Sequence, residues 1–186
     1  MTPAEANSAT FTMENATLKL IRDKDSMMRR AKLTLVGKFI STKIFQAHVV
    51  RSVLGEAWNL KKPDSIAMSM NDHNLFSFTF EHESEKEKVL DKRPWFVHNQ
   101  LLVIKEYNPD VLPHKMDFST SDFWVQVHAI PPVFLNAVNA KLIGERVGEL
   151  LRTDFNVGGS NRWFRYLRMK VRVNITKPLF PGFYLE

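Results

Sequence analysis

The chain has 186 residues, with 26 Lys and Arg against 20 Asp and Glu, 44% hydrophobic residues and no Cys. That length and composition give one large globular domain or two small ones and argue against wholesale disorder. Zero Cys excludes disulfides, thiolate metal sites and cysteine nucleophiles, and no apolar run reaches the 18 or more residues of a membrane span.

The early Glu5 and the lack of an apolar h-region argue against a secretory signal. An intracellular protein, nuclear or cytoplasmic, is expected. Residues 1–30 read as a loose tail, with a short helical or coil segment over Leu18–Met28. Ala31–Phe39 alternates as a strand. Ser41 and Thr42 are candidate caps for a helix carrying Phe45, Val49 and Val53, flanked by Val50 and Leu54. Ser65–Met70 and Leu75–Phe80 read as strands around an Asn71–Asn74 turn. Glu83–Lys92 reads as a charged helix with a solvated face, stopped by Pro94, and Gln100–Tyr107 as another strand. The order β-α-β-β-α-β over 31–107 predicts an α+β, ferredoxin-like sheet, with two helices on one face and the other face open.

Residues 108–122 read as a linker. A βαβ extension over 123–186 follows, packed on the first domain: a strand at Phe123–Ile130, a helix from Pro131-Pro132 to about Leu151, and a strand at Arg165–Ile175. Gly144 and Gly148 suit close helix–sheet packing. No acid occurs between Asp154 and Glu186, and that gap holds Arg162, Arg165, Arg168, Lys170, Arg172 and Lys177.

Several strings in order carry a family likeness. They are Leu35–Phe39, Trp58, the Phe76, Phe78 and Phe80 set, Val89-Leu90, Arg93-Pro94-Trp95, Leu101–Lys105, Phe123–His128, Pro131-Pro132, Arg165-Tyr166, Asn174-Ile175 and Lys177–Leu179. Together they resemble the plant domain of unknown function found in the first open reading frame of LINE-type retrotransposons. The resemblance implies an RNA-recognition-motif-like first half and nucleic-acid binding. It also implies a following zinc knuckle of the C-x2-C-x4-H-x4-C type. That knuckle is expected to be absent here, since no Cys occurs up to Glu186. The chain is therefore expected to be a truncated copy, a fragment or a member without its knuckle. No cofactor or metal is expected.

Two surfaces compete as the binding site. The first is the Phe76, Phe78 and Phe80 strand, where period two puts all three rings on one face. Burial against helices is favoured over base stacking there. The second is the last strand, where Tyr166, Arg168, Lys170, Arg172 and Asn174 share one face and Leu167, Met169, Val171, Val173 and Ile175 the other. Such a basic ladder, stepping about 6.6 Å, matches phosphates of an extended single strand. Arg162, Trp163, Phe164 and Arg165 just before it extend the candidate site, with aromatics for stacking. The bland alternative is a charged sheet face that deters aggregation.

The acidic run Glu81–Glu87 and six scattered histidines form no recognisable catalytic or metal pattern. The expectation is a non-enzymatic binder of RNA or single-stranded DNA, of retrotransposon origin and without sequence preference. A protein–protein or self-association module is the alternative.

Overall fold

The computed structural model describes residues 21, 23–60, 66–154 and 166–185. The chain is a mixed α/β protein with two antiparallel sheets, of five and three strands. The elements of the first part are α1 (Lys24–Lys32), β1 (Thr34–Phe39), α2 (Ala47–Ala57), β2 (Ile66–Asp72), β3 (Leu75–Phe80), α3 (Glu83–Asp91), β4 (Trp95–Val97) and β5 (Gln100–Glu106). The strand expected from Ala31 begins at Thr34, because Asp23 caps α1 by accepting from the Ser26 amide and the helix then runs through Lys32.

The five strands lie in the order β2-β3-β1-β5-β4. The three-residue β4, not anticipated from the sequence, hairpins onto β5. One face of this sheet holds the main core. Leu35, Phe39, Phe76, Phe78, Phe80, Leu102 and Ile104 meet Val50, Leu54, Trp58 and Val89 from the helices. The three Phe of β3 are at most 2% exposed, so the burial reading of that strand is the right one. In α2 the deepest residues are Val50 and Leu54, with Val49 and Val53 half-buried at its flanks. Ser41 caps no helix: its hydroxyl accepts from the Lys43 amide in a turn, 3.0 Å. The α3 face is not wholly solvated either. Glu85 and Lys86 are buried, and Lys86 Nζ reaches Glu106 Oε1 at 2.9 Å.

The opposite face of the first sheet is not open. Phe118 seats on Val36, Leu75 and Val103, joined by Leu101, Tyr107, Met116 and Ile175. The segment expected to be a plain linker is thus a cover with its own short 3-10 turn at Pro113–Lys115.

The second part comprises β6 (Thr120–His128), α4 (Ala137–Val147), β7 (Glu149–Thr153) and β8 (Tyr166–Asn174). The expected helix to Leu151 ends at Val147, and a further strand, β7, takes up the rest. The strand order is β6-β8-β7. Ala140 and Gly144 let α4 press against β8, where Leu167, Met169, Val171 and Val173 are buried. A Cβ on Gly144 would lie 2.8 Å from Leu150 Cδ1, so the close helix–sheet packing read from the sequence is present.

The second part repeats the path of the first. In both, a strand leads through a helix to a hairpin whose second strand inserts beside the first strand: β1-α2-β2-β3 gives β1-β3-β2, and β6-α4-β7-β8 gives β6-β8-β7.

Gly37 on β1 is fixed by packing, since a Cβ there would stand 2.8 Å from Phe78 Cε2 and 3.0 Å from Leu102 Cδ1. Gly37→Val overpacks the core and is expected to lower stability by about 1–3 kcal/mol, read by urea denaturation. A midpoint equal to that of the parent chain would contradict this packing.

Candidate nucleic-acid interface

The last strand has the alternation its sequence predicts, but it lies at the centre of its sheet. Its apolar side chains enter the core under α4. Tyr166, Arg168, Lys170 and Arg172 stand on the other face, between β6 and β7. Across the strands Asp122 and Glu149 oppose Arg172, Trp124 and Arg152 oppose Lys170, Gln126 opposes Arg168, and His128 opposes Tyr166.

This face is divided in two. The half towards the first sheet is an ionic junction. Asp122 is only 2% exposed, and its carboxylate lies 2.9 Å from Arg93 Nη2 and 2.9 Å from Arg172 Nε. Arg93 also donates to the carbonyls of Leu90 (2.7 Å) and Ile104 (3.2 Å), tying the end of α3 to β5. Arg172 Nη1 reaches Glu149 at 3.2 Å. Lys170 Nζ donates to the Asp91 carbonyl and lies 3.8 Å from its carboxylate, which Arg152 also approaches at 3.4 Å. Cations at the carbonyl end of α3 also match the sign of its dipole.

Burial depresses Lys170 below the ordinary lysine value, against the opposing pull of Asp91. Burial likewise lowers Lys105, helped by Arg172, and its ammonium donates to Thr120 Oγ1 at 2.8 Å. Hydrogen bonding to Asp122 raises Arg172. Lys170 and Arg172, placed in the phosphate ladder from the sequence, are therefore engaged by acids of the protein. Four acids, Asp91, Asp122, Glu149 and Asp154, are paired with cations of the ladder or with Arg152 beside it.

The other half is more open: Gln126 and His128 are exposed, while Trp124, Tyr166 and Arg168 are partly buried. Trp124, half-buried, has the Arg168 guanidinium 4.2 Å and the Arg152 guanidinium 4.9 Å from its ring centroid. Arg168 Nη1 pairs with Asp154 at 3.0 Å, and its side chain, 34% exposed, is no more open than that of Arg172 at 36%. Next to it His128 and Tyr166 place their rings 5.2 Å apart, and His128 Nε2 is 3.2 Å from Gln126 Oε1. Arg162, Trp163, Phe164 and Arg165 lie outside the described residues. The ladder reading missed Trp124, Gln126, His128 and Arg152. The alternation in Phe123–His128 held the signal for the first three, since it puts Trp124, Gln126 and His128 on one face.

The first sheet offers no equivalent. The outer positions of β1 and β3 are Thr34, Val36, Lys38, Leu75, Ser77 and Thr79, none aromatic, and the Phe118 cover occupies their middle. The Arg93-Pro94-Trp95 string is structural: Arg93 bridges the two sheets and Trp95 Nε1 donates to the Val89 carbonyl at 2.8 Å. Among the described residues no helix is long and apolar enough to cross a membrane.

Residues 27–115 match the family described as Domain of unknown function (DUF4283). A stretch of 91 residues, 49% of this chain, is 25% identical to "Uncharacterized protein At4g02000" of Arabidopsis thaliana and covers 28% of that protein. Among solved structures, the N-terminal three RNA-binding domains of the yeast splicing factor Prp24 align with 76% of this chain and 56% of that chain. The identity there is 12% and the TM-score 0.30.

Asp122→Ala leaves Arg93 and Arg172 facing each other without their shared anion. Breaking a buried pair costs about 3–5 kcal/mol, and the partial exposure of both arginines puts the expected loss near the lower figure. Thermal denaturation of the variant checks this. A loss below about 1 kcal/mol would mean that the junction is solvated like a surface pair.

Proposed function

We propose that the chain is a non-catalytic nucleic-acid-binding protein that takes RNA or single-stranded DNA on the more open half of its second sheet. The observation that carries this reading is the grouping of Trp124, Tyr166 and His128 with Arg152 and Arg168 on one sheet face. Flat rings stack on bases of any sequence, and guanidiniums meet phosphates, so the surface suits sequence-tolerant binding. The order of residues 34–106, βαββα followed by the β4–β5 hairpin with β5 beside β1, supports a ferredoxin-like, RNA-recognition-motif-like fold for the first part. Its usual base-stacking face is replaced in this role by the second sheet. The likeness to retrotransposon open-reading-frame proteins adds a retrotransposon origin to this reading.

Single strands fit this face better than a duplex. Three strands about 4.8 Å apart, with their side chains, exceed the roughly 12 Å major groove, which admits a two-stranded ribbon. The exposed rows from Trp124 to His128 span about 13 Å at ~3.3 Å per residue, room for two or three extended nucleotides.

Trp124→Ala is expected to weaken binding of a fluorescein-labelled oligo(dT) or oligo(U) by roughly 5- to 150-fold, the effect of losing about 1–3 kcal/mol of stacking. Arg168→Ala is expected to reduce the slope of log affinity against log salt by about 0.7, one phosphate on a single strand. Fluorescence anisotropy over a salt series measures both. Unchanged affinity in Trp124→Ala, with the fold intact by circular dichroism, would contradict the proposal.

A further inference from the structure

We infer that the distal half of β6, Phe123–His128, is a self-association edge that pairs antiparallel with the same segment of a second copy. The inference stands on the sheet geometry alone and does not depend on nucleic-acid binding.

The repeated path of the two parts defines what is missing. In the first part the far side of β1 is filled by β5, which pairs with it from Leu35 to Phe39. In the second part β6 occupies the place of β1, and among the described residues no strand pairs with its far side. The ionic junction and the Lys105–Thr120 contact engage only the start of β6, at Thr120 and Asp122.

The edges of the two sheets differ in how they are protected. Proteins blunt free edges with short strands, bulges and charges. β2 carries an irregularity between Met70 and Asp72, and β4 has only three residues. β7 carries an irregularity between Leu150 and Arg152, and bears Glu149 and Arg152. β6 has none of these in its distal half. Its register with β8 is unbroken over nine residues, and no Asp, Glu, Lys, Arg or Pro occurs from Phe123 to His128. Phe123, Val125 and Val127 pack on the core yet stay only partly buried.

The occupant that fits is a second copy of this chain. The segment is uncharged, so a twofold pairing near Val125 opposes no like charges. Period two then keeps the apolar residues of both copies on one face and Trp124, Gln126 and His128 of both on the other. Twofold closure consumes both β6 edges, and the protected β7 edges stop growth at a dimer with a six-stranded sheet. The shared edge is small, so the dimer belongs to the weak class of interfaces.

The test is sedimentation equilibrium of the full chain from about 10 μM to 1 mM, the range suited to a small interface. The mass is expected to rise from the 21.6 kDa of one chain towards twice that value. Amide hydrogen exchange is expected to slow with concentration over 123–128. Val125→Pro and Gln126→Pro complete the test, because successive amides of a strand point to opposite sides. One of the two removes a donor from the free side only, and the variant that keeps the parental circular dichroism is expected to remain monomeric. A monomer mass throughout the range overturns the inference, as does dimerisation without slowed exchange over 123–128. Growth beyond a dimer would overturn the twofold closure.

Discussion

The architecture turns on one buried carboxylate. Asp122 receives Arg93 from the end of α3 and Arg172 from the centre of the second sheet, each at 2.9 Å. A charge this buried is tolerated when it is paired, and the two guanidiniums come from different parts of the chain, Arg93 from the connection after α3 and Arg172 from β8. Satisfying Asp122 therefore requires the two parts to meet in one arrangement. That arrangement brings Lys170 onto the Asp91 carbonyl and Lys105 onto Thr120. It also divides the polar face of the second sheet into a closed half and an open half.

The division explains why charge counted along the chain overstates the free positive surface. The acid-free stretch after Asp154 suggests a uniformly basic strand. Its acids arrive from elsewhere: Asp91 ends a helix of the first part, while Asp122 and Glu149 come from the neighbouring strands. What stays open is a mixed aromatic and guanidinium surface around Trp124. On the proposed reading an extended nucleic acid would meet stacking first and charge second there. Phe118 has the converse effect on the first sheet, since by seating on Val36, Leu75 and Val103 it removes the face that the βαββαβ order leaves free.

Much of this is legible in the sequence, and most of the failures share a cause. The clearest alternations, in Leu75–Phe80 and in Tyr166–Asn174, gave the right strands and the right inward faces, because burial on one face enforces period two. Of Ala140, Ile143, Val147 and Leu150, which read as one core stripe of a helix, the first three pack from α4 while Leu150 belongs to β7. The three-residue strand Trp95–Val97 is too short to show a period, and the strand Glu149–Thr153 exists through pairing with β8 rather than through local pattern. The cover role of Phe118 and the pairing of Lys170 and Arg172 were hidden for the same reason. Local periodicity reports which face is apolar; it does not report what lands on the polar one.

The central claim is that the more open half of the second sheet, and not the first sheet, contacts single-stranded nucleic acid. Backbone amide chemical-shift mapping on titration with a short oligo(dT) addresses it residue by residue. The account predicts shifts concentrated at Trp124–His128, Arg152–Asp154 and Tyr166–Arg168, together with the Trp124 indole. Shifts centred instead on Thr34–Lys38, Leu75–Thr79 and Leu101–Lys105, or no shifts at millimolar oligonucleotide, would contradict it.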